Sequence, residues 1–100
     1  METGVQHDPE GQRFFLKLGS EEAYLSYTRK DTVLDFLYVY TPVAYRGQGA
    51  AGRILITAFE YARENGCQVI PTCPFIKHEF LPRFSKYQDL VQLNQIDSQT

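Results

Sequence analysis

The chain has 100 residues, enough for one small domain and too few for two. Hydrophobic residues make up 43% of it and charged residues 22%, a balance that excludes an intrinsically disordered chain. The formal net charge is −2 and the lysines and arginines are scattered, which argues against a dedicated binder of nucleic acid or of anionic membranes.

Hydropathy and cysteine content predict the compartment. Every apolar run is far shorter than the ~20 residues of a membrane-spanning helix, and residues 1–12 lack the hydrophobic region of a signal peptide. The two cysteines, Cys67 and Cys73, have neither a metal-type spacing nor a histidine cluster beside them, so we expect no disulfide framework and no metal site. We expect a cytoplasmic protein without nucleic-acid or membrane partners, as a monomer or weak dimer.

The first half of the chain predicts strands. Residues 1–12 are polar and predict a flexible lead-in. Residues 13–18 and 22–29 are β-prone and are joined around Gly19, which is typical of an antiparallel hairpin. Residues 32–41 are rich in β-branched and aromatic side chains and predict a central strand, which Pro42 ends because it has no N–H to donate.

The second half predicts a helix and a further strand. Apolar residues recur at spacings of three and four over residues 49–65, so we expect an amphipathic helix that stops at Asn65-Gly66. Residues 68–71 form a short strand, and the order strand, helix, strand makes it parallel to the central one. A loop with a short helix over residues 75–84 and a terminal turn over 87–93 follow, and residues 94–100 are expected to be flexible.

These elements predict an α/β fold of order β-β-β-α-β within a domain of residues 13–93. We expect a mixed, twisted sheet of about four strands, antiparallel for the first three and parallel between the third and fourth, with one main helix across it.

A glycine-rich stretch from Arg46 to Gly52 lies between the central strand and the helix. Glycine lets a backbone approach a ligand closely, and the free N–H groups and dipole at a helix start favour phosphate oxygens. The stretch predicts a cofactor that carries a pyrophosphate. The alternative, a helix start that only needs flexible residues, explains fewer of these glycines.

Two common phosphate-binding motifs do not fit this stretch. Gly47-x-Gly49-x-x-Gly52 matches the dinucleotide fingerprint in letters, but the preceding strands look antiparallel. The next strand ends in Ile70-Pro71-Thr72 and supplies no acidic residue for a ribose. A P-loop is excluded because no Gly-Lys-Ser/Thr follows the glycines.

The sequence resembles the GNAT N-acetyltransferase superfamily, whose motif Arg/Gln-x-x-Gly-x-Gly/Ala is met by Arg46, Gly49 and Ala51. Residues 37–42 (LYVYTP) and 70–80 (IPTCPFIKHEF) resemble a minimal GNAT subfamily found in bacteria and plants. The resemblance covers residues 13–90.

The resemblance implies an acetyl-CoA-dependent acyltransferase that acts on an amine. It implies that the pyrophosphate lies on backbone amides of the loop and that the pantetheine arm pairs with the edge of the central strand. The implied cofactor-binding residues are Leu37, Tyr38, Val39, Tyr40, Arg46, Gly47, Gln48, Gly49, Ala50, Ala51 and Gly52. Arg46 is expected either to steer phosphates or only to shape the loop.

The chain departs from the wider superfamily in three ways. No helical segment follows the first strand, Pro42 and Arg46 are one residue further apart than usual, and the last strands are absent. The missing helical segment and the missing last strands build the acceptor groove in larger relatives, so we carry over no substrate class.

Two alternatives to an enzyme remain. One is a CoA-binding or acyl-sensing module without turnover, and the other is a protein-interaction domain without cofactor.

Cys73 and His78 are the predicted catalytic residues. Cys73 follows the last strand on the side where parallel sheets place ligands, so its thiol could accept the acetyl group or protonate the departing thiolate; the alternative is an inert core thiol. His78 could activate Cys73 or act as a base for the amine, and otherwise faces water. Weaker alternatives for proton transfer are Glu79, Tyr87, Tyr38 and Tyr40.

Overall fold

Five strands form one mixed sheet in the computed structural model, which describes residues 4–92. The strands are β1 (Gln6–Asp8), β2 (Arg13–Leu18), β3 (Glu21–Lys30), β4 (Val33–Tyr40) and β5 (Gln68–Ile70). Helix α1 (Ala50–Glu64) joins β4 to β5, a short 3₁₀ turn (Val43–Tyr45) precedes it, and a π-helical turn (Ile76–Phe80) and a 3₁₀ segment (Ser85–Leu90) follow β5.

The sheet confirms the predicted fold class. Its strands follow in chain order, antiparallel from β1 to β4 and parallel between β4 and β5. The predicted strands and the helix agree with the observed ones within one residue at each end. The expected flexible segment 94–100 and the end of the predicted turn at residue 93 lie outside the described residues.

Strand β1 is a correction to the predicted lead-in. Gln6–Asp8 has a polar sequence without β-branched residues, yet it pairs with β2. Tertiary contacts explain this, because the His7 ring stacks on Phe14 at 4.0 Å between centroids and shares a hydrogen bond of 2.6 Å between its Nε2 and the hydroxyl of Tyr27. A strand held by one side chain leaves no periodic pattern in the sequence.

We expect acidification to destabilise the protein through His7. Burial lowers the pKa of His7 below its ordinary value of 6.5, an effect that Asp8 opposes and Arg29 reinforces. The unfolded chain therefore takes up this proton first, so the contribution is fully present above pH 6.5 and is lost as the pH falls through the lowered pKa. The loss should be less than about 1 kcal/mol, because His7 is only partly buried.

Thermal unfolding of the wild type and of His7→Phe at about pH 7.5 and about pH 5.5 checks this. The variant keeps the stack on Phe14 and cannot be protonated, so its midpoint should fall less on acidification. Equal falls in both proteins would refute the assignment to His7.

Helix α1 lies across the sheet and carries the centre of the core. Its buried residues are those of the predicted stripe, Ile54, Leu55, Ala58, Phe59 and Ala62, together with Ala50 in its first turn. The Phe59 ring packs on Phe36 from β4 at 5.2 Å and stacks on Tyr87 at 5.1 Å. The Tyr87 hydroxyl donates to Glu60 Oε2 at 2.7 Å, and burial raises the pKa of Tyr87. The 3₁₀ segment Ser85–Leu90 is therefore fixed to α1.

The end of α1 follows from Asn65-Gly66, as predicted. Gly66 adopts a positive φ of 67°, and the N–H of Cys67 donates to the carbonyl of Ala62 at 2.8 Å. This left-handed cap satisfies the last carbonyls of the helix and turns the chain into β5. Among residues 4–92, no helix is long and apolar enough to cross a membrane.

Candidate functional site

A cleft of about 800 Å³ lies between the end of β4, the start of α1 and the segment after β5. The lining residues are Tyr38, Val39, Tyr40, Thr41, Tyr45, Arg46, Gly47, Gly49, Ala50, Ala51, Gly52, Arg53, Ile56, Phe75, Glu79, Phe80, Arg83 and Phe84. Two stretches that are distant in the sequence, residues 38–56 and residues 75–84, thus form one concave surface, a shape typical of a small-molecule site.

The loop before α1 owes its shape to two glycines. Gly47 and Gly49 adopt φ values of 82° and 85°, in the left-handed region that other residues adopt at a cost. A Cβ atom added at Gly47, Gly49 or Gly52 would meet nothing within 4 Å. Packing within the protein therefore does not demand these glycines, and the space above them is open to a ligand.

The N-terminus of α1 has no cap from the protein itself. Gly49 is the N-cap residue and makes no side-chain cap, and the first turn contains no acidic residue. The first intrahelical bond runs from the N–H of Arg53 to the carbonyl of Gly49 at 3.0 Å. Within residues 4–92, the N–H groups of Ala50, Ala51 and Gly52 have no acceptor, so they and the helix dipole favour an anion at this end of the cleft.

Arginines give the cleft a positive charge although the chain is acidic. Among the described residues, Arg46, Arg53 and Arg83 line it together with one carboxylate, that of Glu79. Arg46 donates from Nε to the carbonyl of Thr41 at 2.9 Å, which ties the loop to the end of β4. Its two terminal nitrogens make no hydrogen bond within the described part of the chain, so Arg46 can shape the loop and still contact an anion.

Strand β4 presents a free edge to the cleft. Its pairing with β5 ends at Asp35 and Ile70, where the hydroxyl of Thr72 donates to the Asp35 carboxylate. One further bond, from the N–H of Cys73 to the carbonyl of Phe36 at 3.0 Å, closes the junction. Beyond it the two segments separate, so one edge of β4 pairs with no strand within residues 4–92.

A β-bulge lies at the point where this edge becomes free. Tyr38 pairs with Ser26 of β3 and Phe36 pairs with Tyr27, which leaves Leu37 as the extra residue. Strand alternation from the buried Phe36 would turn Tyr38 to the core, but the bulge gives this position to Val39, which packs against the core. It therefore re-aims the backbone and side chains of the last β4 residues at the cleft.

The two predicted catalytic side chains differ in position. Cys73 lies where β4 and the segment after β5 separate, with its side chain 5% exposed and packed into the core. His78 is exposed on the π-helical turn. Neither lines the cleft, and within residues 4–92 no hydrogen bond joins the Cys73 thiol to His78. The structure places Cys73 next to the site and does not bring His78 to it.

Most of the predicted cofactor-binding residues line the cleft; Leu37 and Gln48 do not. Leu37 is the bulged residue, and the Gln48 side chain donates back to the carbonyl of Ala44 at 3.5 Å. Lining residues not predicted to bind the cofactor are Thr41, Tyr45, Arg53, Ile56, Phe75, Glu79, Phe80, Arg83 and Phe84; of these, the sequence named Glu79 as a weaker candidate for proton transfer. Proximity to the glycine motif could have indicated Thr41, Tyr45 and Arg53, whereas the segment after β5 reaches the cleft only through tertiary packing.

Known proteins match this chain in sequence and in fold. The family model described as GCN5-related N-acetyltransferase matches residues 13–90. The NMR solution structure of a GCN5-like protein from Staphylococcus aureus matches with a TM-score of 0.66 at 20% sequence identity, covering 99% of this chain and 98% of that one. At this identity the structural match shows a shared fold.

Proposed function

The chain belongs to the GCN5-related N-acetyltransferase family, and we propose that it binds acetyl-CoA in the cleft and transfers the acetyl group to an amine. The observation that carries the proposal is the uncapped start of α1 beside a free strand edge. The uncapped N–H groups of α1 suit phosphate oxygens, and the free edge of β4 suits the amides of a pantetheine arm. Both lie in one cleft.

The residues present fit this cofactor. The unpaired N–H groups of Ala50, Ala51 and Gly52 are donors for the pyrophosphate, and Arg46 adds a charged donor beside them. Gly47 and Gly49 keep that surface free of side chains. Residues 37–40 supply the unpaired strand edge, so the pantetheine arm can pair as an additional strand.

Acetyl-CoA supplies a thioester, whose carbonyl carbon a neutral amine can attack. We propose that backbone N–H groups among residues 38–40 stabilise the negative charge that develops on the carbonyl oxygen, because they belong to a fixed strand and need no reorganisation. The Cys73 thiol is the proposed proton donor to the departing sulfur, since it lies where the free edge begins; water takes the proton that the amine nitrogen loses and restores the thiol. The role predicted for His78 stays a prediction, because its side chain is exposed on the π-helical turn and, within residues 4–92, makes no hydrogen bond to Cys73.

Two free, buried cysteines suit a reducing compartment, and we propose the cytosol on that basis. The proposed acceptor is a small-molecule or peptide amine. We also propose a monomer or weak dimer without nucleic-acid or membrane partners, which remains a prediction from the sequence.

Adding acetyl-CoA to the purified protein and following thermal stability and free-thiol release tests the proposal. At a hundredfold excess over Kd, binding stabilises a folded protein by about 2.7 kcal/mol. We expect a raised unfolding midpoint and continuous release of CoA thiol with at least one amine of a broad panel. Stabilisation without thiol release would instead indicate a binding or sensing module, and no stabilisation would indicate a protein-interaction domain.

A further inference from the structure

The loop before α1, residues 43–49, is held against the body of the protein mainly at Tyr45. Pro42 before the loop and Ala50 after it are buried, and the residues between them are exposed except for Tyr45, which is half-buried. Within the described part of the chain, the hydrogen bonds that the loop donates reach carbonyls of residues 41–44. These bonds fix the local shape of the loop, so its position over the sheet depends on Tyr45.

The Tyr45 side chain reaches the turn that joins β2 to β3. That turn consists of Gly19 and Ser20, between the paired residues Leu18 and Glu21. A Cβ atom placed on Gly19 would lie 2.8 Å from the hydroxyl oxygen of Tyr45 and 3.9 Å from its Cζ. The first distance is well inside van der Waals contact. The Tyr45 hydroxyl therefore occupies the space that any side chain at Gly19 would need.

Two separate demands select glycine at position 19. Gly19 has a φ of 60° and is the first residue of a two-residue hairpin turn, where a positive φ favours glycine. The second demand is the contact with Tyr45, which lines the cleft although Gly19 does not. Tyr45 directly precedes Arg46 and the left-handed Gly47, so the position of its ring also sets the position of the loop backbone.

We propose that Tyr45 is a positioning residue for the cofactor, because its contact with Gly19 holds the loop before α1 in place to receive the pyrophosphate. The inference rests on the proposed function and adds a residue outside the cleft, Gly19, that sets the affinity for acetyl-CoA. A loop with left-handed glycines at 47 and 49 has many alternative conformations. Holding it in one of them before the cofactor arrives lowers the entropic cost of binding.

Gly19→Ala tests the proposal from outside the cleft. The added Cβ must displace the Tyr45 hydroxyl, so we expect the dissociation constant of acetyl-CoA, measured by calorimetry, to rise about three- to tenfold. With an amine that supports CoA release, kcat at saturating acetyl-CoA should stay within about twofold, because the loop belongs to the phosphate end of the cleft. An unchanged dissociation constant would overturn the proposal.

Tyr45→Phe should rescue the Gly19→Ala variant. It removes the hydroxyl and leaves Cζ as the nearest ring atom, at 3.9 Å from the added Cβ, which is an ordinary contact distance. In the Tyr45→Phe background, Gly19→Ala should therefore change the dissociation constant by less than about twofold. Because this comparison is a double-mutant cycle, any direct contact of the hydroxyl with the cofactor cancels. Equal losses of affinity in both backgrounds would show strain in the turn and contradict the role of Tyr45.

Gly66→Ala is the matched control for the backbone. Gly66 has a φ of 67°, close to that of Gly19, and a Cβ added there would meet nothing within 4 Å. It lies at the end of α1 and does not line the cleft. We expect this variant to unfold at a lower temperature and to bind acetyl-CoA as the wild type does. Equal losses of affinity in Gly66→Ala and Gly19→Ala would refute the proposal.

Gly19→Asn keeps the test open if Gly19→Ala does not fold. Asn tolerates a positive φ better than Ala does and carries the same Cβ, so its affinity for acetyl-CoA should fall by a similar factor. Thermal unfolding of each variant gives the fraction that is folded during the measurement. No acetyl-CoA binding by the wild type would end the proposed function itself. Normal binding by the wild type and by both folded Gly19 variants would overturn only the positioning role.

Discussion

Gly49→Asp is expected to raise the dissociation constant of acetyl-CoA at least about a hundredfold, because two like charges a few ångströms apart in a protein cleft repel by several kcal/mol. Gly49 is the N-cap of α1, and its position for a Cβ is open, so a carboxylate there would project into the space proposed for the pyrophosphate. Isothermal titration calorimetry measures the effect.

Gly49→Asn is the matched control for the charge. Asn and Asp tolerate the left-handed conformation better than other L-residues, and both should adopt the φ of 85° found at Gly49. The Asn variant adds a side chain of the same size without the charge, so it should bind acetyl-CoA more weakly than the wild type but at least about tenfold more tightly than the Asp variant. The Asp variant should unfold at a temperature no lower than the Asn variant, since a negative charge near a helix N-terminus is favourable. Equal affinity of the two variants would refute the phosphate assignment.

Cys73→Ala is expected to lower kcat about ten- to a hundredfold while the dissociation constant of acetyl-CoA stays within about twofold. The reason is that the thiol is proposed to act only on the departing sulfur, so its loss affects the transition state and not the bound ground state. Steady-state release of CoA thiol gives kcat, and calorimetry gives the affinity.

Cys67→Ala is the matched control for the loss of a buried thiol. Both cysteines are free and buried, and Cys67 is 1% exposed at the end of α1, away from the cleft. Both variants should lose a similar amount of stability, and Cys67→Ala should keep its kcat. Full activity of Cys73→Ala would rule out a chemical role. An acetyl group found on Cys73 by mass spectrometry would show that the thiol is a nucleophile and replace the proton-donor role.

The local parts of the fold were predictable because their signals are local. Pro42 and Asn65-Gly66 mark the ends of a strand and a helix by backbone chemistry alone, and the stripe from Ile54 to Ala62 gives the helix its period. The glycine loop was predictable for the same reason, since a left-handed φ at Gly47 and Gly49 selects glycine.

The remaining features depend on contacts between distant residues. β1 forms because His7 stacks on Phe14, and Glu79 reaches the cleft because Phe80 stacks on Phe59 of α1 at 5.5 Å. Neither of these ring contacts produces a periodic pattern or a motif in the sequence. The bulge at Leu37 is also invisible in the sequence, because a run of apolar and aromatic residues continues through it and conceals the change of face.

A crystal structure with bound CoA tests the phosphate site and the strand edge together. We expect the pyrophosphate oxygens to accept hydrogen bonds from the backbone N–H groups of Ala50, Ala51 and Gly52, with the pantetheine arm along residues 37–40. A pyrophosphate bound elsewhere, with those N–H groups facing water or a side chain of the protein, would contradict it.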